Sequence, residues 1–142
     1  MARLPRVVVD ASVACKWFVP ESRPEGALRL REALSEGQLL VLAPALMPYE
    51  LANALRYHPS MTRERLRLAI RSLFDLQVAL IHPSSAALRE AAEFAYAKKL
   101  TIYDACYAML SEAHSCDLVT DDTRLLRASG RAIPSHEWSL DR

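Results

Sequence analysis

The sequence predicts one α/β domain, a mainly parallel sheet of four to five strands with helices on both faces. Two observations carry this. Short, near-continuous apolar runs alternate along the chain with longer segments of helical periodicity, the pattern of strands buried on both sides. In addition, 142 residues with 51% hydrophobic content and only 3 glycines suit a single packed, helix-rich unit over residues 1–142.

Taken in order, Val7-Val8-Val9 with Asp10 at its end is the first strand, and Ser12 is placed to cap a helix over Val13–Val19. Prolines 20 and 24 bound a loop before a helix over Pro24–Ser35. Leu39–Ala43 is the second strand. Pro48 belongs in the first turn of a helix over Leu46–Tyr57, because its missing N–H is harmless there. A helix over Arg63–Phe74, a strand over Val78–Ile81 and a helix over Ser85–Lys98 follow. Thr101-Ile102-Tyr103-Asp104 has the spacing of a capping box and opens a helix over Tyr103–His114. Leu118–Thr120 is a strand, Asp121-Asp122 a turn, Thr123–Ala128 a helix and Ala132–Ile133 a last strand.

Several chemistries are excluded by what is missing. No G-x-S-x-G or G-x-x-x-x-G-K-[ST] motif occurs, so there is neither a nucleophile elbow nor a P-loop. Cys15, Cys106 and Cys116 form no C-x-x-C pair and are odd in number, which argues against a disulfide framework or zinc ribbon and for a reducing cytoplasm. His58, His82, His114 and His136 lack metal-ligand spacing, and no apolar stretch approaches the roughly 20 residues needed to span a bilayer. A phosphoacceptor domain would need an acid pair before the first helix and a mid-chain strand-end acceptor; neither is present.

What remains is a set of four acids. Asp10, Glu50, Asp104 and Asp122 are read at strand-to-helix junctions flanked by small residues (Ala11, Ala52, Ala105), and a parallel sheet would gather them at one edge, where ligands of open α/β folds sit. Each has a mundane role available: a helix cap, a capping box, a favourable place in a first turn. Their joint placement has none, and four carboxylates together suit a hard divalent cation. With those four set aside, 13 acids face 18 Lys and Arg, and Arg63, Arg67 and Arg71 recur on one helical face. That stripe reads as a solvated face or a phosphate-tracking surface.

The segments Val7–Ala14 with Lys16-Trp17-Phe18, Pro48–Leu55, Tyr103–Ala108 and Leu118–Asp122 resemble, in order and over nearly the whole chain, the motifs of PIN-domain nucleases, most of all the VapC-type toxins of toxin–antitoxin pairs. The resemblance implies a three-layer α/β/α fold and Mg²⁺-dependent RNA cleavage, with Mn²⁺ as a substitute. It also implies a cytoplasmic homodimer held in check by a small VapB-type antitoxin. The family's acids match Asp10, Glu50, Asp104 and Asp122, with Asp121 an extra acid that could take the place of the fourth. Ser12, Asn53 and Thr120 match its supporting polar positions. Asp10 and Asp104 are expected to touch the metal directly, and Glu50 and Asp122 through water or a second ion. A housekeeping PIN nuclease of RNA processing and a catalytically inert binding module are the alternatives; the RNA target and the residues that bind it are not legible.

Overall fold

A computed structural model describes residues 3–142. Five strands, β1 (Arg6–Val9), β2 (Leu40–Pro44), β3 (Ala79–Ile81), β4 (Asp117–Val119) and β5 (Ala132–Ile133), form one sheet in the order β3-β2-β1-β4-β5. Every pairing is parallel. Seven helices complete a three-layer α/β/α sandwich: α1 (Ala11–Ala14), α2 (Glu25–Ser35), α3 (Met47–Arg56), α4 (Arg63–Asp75), α5 (Ser85–Lys98), α6 (Ile102–Ala113) and α7 (Thr123–Ala128).

The central strand explains the hydropathy pattern. β1 pairs through Val7 with both Val41 and Asp117, so its valines are covered above, below and on both sides, and Val8 and Val9 have no exposed surface. They join Leu42, Leu118, Met47, Leu51 and Leu125 in a continuous core. α6 crosses this core against β1, β2 and β4. Its outer side meets α5 through the small residues Ala91, Ala95 and Ala105, which let the two helices approach closely.

Strand and helix boundaries fall within a residue or so of the expected ones, with two exceptions. The helix expected over Val13–Val19 is a single α turn, α1, followed by a 3-10 turn over Cys15–Trp17. Pro20 disfavours helical backbone at the residue before it, and the tighter winding lets the buried Trp17 indole donate to Ala27 O at 2.9 Å. The other is a 3-10 turn over Ser135–Glu137, unexpected from the sequence, which packs on α2. Gly26 permits that contact, since a Cβ there would lie 1.9 Å from Ser135 O.

Candidate active site

The carboxyl ends of β1, β2 and β4 lead into α1, α3 and α7 and bring Asp10, Glu50 and Asp122 to one edge of the sheet. Asp104 arrives by another route than the strand-to-helix junction expected. It sits at the α5–α6 junction, and α6 carries it to the same edge because its N-terminus lies where the strands end.

Asp10 is buried and closely held. It caps α1, with Oδ1 accepting from Val13 N at 3.3 Å, so it fills the role expected of Ser12. Ser12 is thereby released to donate to the same oxygen at 2.6 Å, while Thr120 Oγ1 donates to Oδ2. Both hydroxyls also accept from the turn after β4: Asp121 N reaches Ser12 Oγ and Asp122 N reaches Thr120 Oγ1, each at 3.0 Å. The network locks the ends of β1 and β4 together across the sheet. Burial pushes Asp10 up to about 6; its three donors oppose that, and the charge of Asp122 adds to it.

Glu50 lies in the first turn of α3 behind Pro48, and its Oε1 accepts from Tyr107 Oη at 2.6 Å. Partial burial raises Glu50, the Tyr107 bond lowers it and the charge of Asp104 raises it again. The phenol of Tyr107 is driven far upward by burial and by the charges of Glu50, Asp10 and Asp104. The charges of three of the four acids thus act on one phenol, which bonds to Glu50. From the sequence Tyr107 reads as a packing residue. The signal that it is more was its place three residues after Asp104, because a tyrosine on a buried face needs a partner for its hydroxyl.

The capping box at Asp104 is only half made. Thr101 Oγ1 accepts from Asp104 N at 3.0 Å, but the carboxylate does not return the bond, and Oδ2 is buried without any hydrogen-bond partner. The adjacent acids Asp121 and Asp122 divide their roles. Asp121 accepts from Ser135 N (2.9 Å) and Ser135 Oγ (2.7 Å) and pairs with Lys16 at 2.9 Å. Burial raises Asp121, but these donors outweigh it and its pKa falls below the usual range. Asp122 caps α7 through Arg124 N at 2.8 Å and faces Asp104 across the Arg124 guanidinium. Asn53 is exposed, one turn beyond Glu50. Burial raises all three thiols, Cys15 to about 11, which keeps them protonated.

Among the described residues, no three acidic, histidine or cysteine side chains are close enough to enclose a metal ion as they stand. The donor set nevertheless fits a cation of Mg²⁺ type, which takes oxygen ligands, retains several waters and needs only one or two protein carboxylates. The unpartnered Asp104 Oδ2 is the atom such an ion would satisfy.

Comparison with known proteins bears on this geometry. Residues 7–131 match the PIN domain. The chain belongs to the PIN domain family. Among similar proteins, Ribonuclease VapC3 of Pyrobaculum aerophilum is 32% identical over 124 residues, covering 84% of this PIN domain chain and 92% of the relative. The crystal structure of PAE2754 from Pyrobaculum aerophilum superposes with a TM-score of 0.65 at 27% identity, covering 92% of this chain and 90% of that one. VapBC2 from Rickettsia felis, solved bound to a promoter DNA fragment, shares the fold at 15% identity and a TM-score of 0.63, covering 91% of this chain and 96% of that one. No helix among the described residues of this PIN domain is long and apolar enough to cross a membrane.

Proposed function

We propose that this PIN domain is a metal-dependent endoribonuclease that acts in the cytoplasm as the toxin of a toxin–antitoxin pair. The observation that carries the reading is the buried Asp104 Oδ2, which no hydrogen bond satisfies, beside Asp10, Glu50 and Asp122 at the sheet edge. The 32% identity to a protein named Ribonuclease VapC3 supports ribonuclease activity and the toxin role.

Asp10 and Asp104 would hold Mg²⁺, or Mn²⁺ in its place, with Glu50 and Asp122 binding through water or a second ion. The chemistry that ion would supply is a lowered pKa for a nucleophilic water and compensation of the charge building on the phosphate. The chain's own residues do the positioning. Ser12 and Thr120 fix both oxygens of Asp10; Oδ1 also accepts from Val13 N, so Oδ2, held by Thr120 alone, is the oxygen with lone-pair capacity to spare. Tyr107 orients Glu50 through Oε1, so Oε2 is the oxygen free to accept a proton. No side-chain nucleophile is required.

The test is cleavage of RNA in Mg²⁺ by the purified chain. Asp10→Asn and Asp104→Asn should each lower the rate on the order of a hundredfold or more. Cleavage that survives both, or that persists in a chelator, overturns the reading. The toxin role predicts a neighbouring short reading frame whose product binds this chain and silences it. That partner and a second copy of the chain would cover apolar surface now open, such as the groove of about 390 Å³ lined by Ile81, Leu88, Ile102 and Met109. A catalytically inert module of the same fold is the second reading, favoured by the absence of a ready-made metal cage among the described residues. It predicts no change in melting on adding Mn²⁺, whereas a true site at 100 times its dissociation constant gains about 2.7 kcal/mol.

A further inference from the structure

Two carboxylate oxygens at the sheet edge share a single partner. Asp104 Oδ2 makes no hydrogen bond, and Asp122 Oδ2 is engaged only by Arg124, because Asp122 Oδ1 is already committed to the backbone N–H of residue 124. Arg124 Nη2 lies 3.4 Å from Asp122 Oδ2 and 3.6 Å from Asp104 Oδ2. The two carboxylates are largely covered, at 24% and 15% exposure, whereas the arginine side chain is 61% exposed. A forked cation on a solvated three-carbon stem therefore bridges two acids from the open side, at long distances and without one good bond to Asp104.

We propose that Arg124 is a built-in stand-in for the divalent cation. It neutralises Asp104 and Asp122 while the site is empty and has to swing into solvent when the metal enters, so it sets the metal concentration at which the site fills. The inference rests on the reading that these acids hold a divalent cation. Its physical basis is competition: the guanidinium lies in front of the two oxygens an incoming ion would need, and two cations cannot share them. Displacement is easy because an exposed ion pair is weak. The helix does not depend on it, because α7 is capped by Asp122 Oδ1, which accepts from the backbone N–H of Arg124, and that bond stays when the side chain is changed.

The experiment is a Mn²⁺ titration of the full chain without RNA, with free Mn²⁺ followed by electron paramagnetic resonance and folding checked by metal-free melting. Replacing Arg124→Gln should tighten Mn²⁺ binding by about fivefold, the scale expected when one exposed, competing ion pair is removed. Arg124→Met serves as a second neutral variant if the glutamine protein is unstable, and Arg124→Lys should fall between these and the parent. Arg127→Gln, on the exposed last turn of the same helix, removes an equal charge away from the acids and should change affinity less than twofold. The advantage of Arg124→Gln should also shrink as salt is raised. Equal or weaker Mn²⁺ binding by the Arg124 variants overturns the stand-in role alone, as does a matching gain from Arg127→Gln. No Mn²⁺ binding by any of the proteins overturns the metal reading and this inference with it.

Discussion

Around Asp10 the protein supplies every donor itself, with the Ser12 and Thr120 hydroxyls and the Val13 N–H arranged on its two oxygens, whereas at Asp104 one oxygen is buried and left without a donor. The two acids meet at one sheet edge and influence the same tyrosine, yet one is a structural hub and the other an unfilled demand. The difference separates two meanings of a buried carboxylate. A fully bonded one holds the fold together even with no ligand present. An unpartnered one costs stability and is retained for what it binds.

The largest effect that would test this contrast is on folding. Asp10→Ala removes a helix cap and strands two hydroxyls that serve the β4–α7 turn, so it should cost about 2–4 kcal/mol in urea denaturation. Equal costs for Asp10→Ala and Asp104→Ala would break the comparison.

Next is the pH dependence of the metal-free protein. Burial lifts Asp10 from the ordinary 3.8 to about 6, so its neutral form is favoured in the fold. That contribution is complete below about pH 4 and is lost as pH rises through 6, so stability should increase on acidification from pH 7 to pH 4.5 by on the order of 2 kcal/mol. Glu50, also raised, adds in the same direction. Asp121, lowered, works the other way, but only below about pH 4, as it becomes protonated. Saturating Mn²⁺ should flatten the profile, since a bound cation holds the acids ionised. A profile unchanged by Asp10→Asn would assign it to other groups.

Smaller again is Thr120→Val, expected to cost about 1–2 kcal/mol by leaving Asp10 Oδ2 and Asp122 N without their shared hydroxyl. It should also move the Asp10 titration upward, visible in the carboxyl carbon shift by nuclear magnetic resonance. The smallest is Asp104→Asn, within about 0.5 kcal/mol of the parent by the same denaturation, since it loses no hydrogen bond and only the long, exposed contact to Arg124.

The contrast also shows where sequence reading stops. Alternating apolar runs and helical periods were enough for the sheet, its parallel strands and six of the seven helices to within a residue or so at each end, because those signals are local. Thr101 was legible as a cap for the same reason. Whether Asp104 completes the box was not, since that depends on α3 presenting Glu50 and α7 presenting Arg124 from far along the chain. Ser12 was read as a cap, but its hydroxyl donates to Asp10 and the N–H it accepts from, Asp121 N, is 109 residues away. Tyr107 and Arg124 were missed for a related reason: each looks ordinary on its own helix and gains its role only when that helix is packed.

The position of β1 sets an order of events. The first strand made is the central one, and its neighbour β4 comes from near the other end of the chain; Thr120 lies 110 residues after the Asp10 it holds. During synthesis from the N-terminus, Asp10 therefore waits without its Thr120 donor, and Asp122 does not yet exist. The site is among the last features of these residues to form, since its acids cannot be brought together until β4 has emerged and paired with β1.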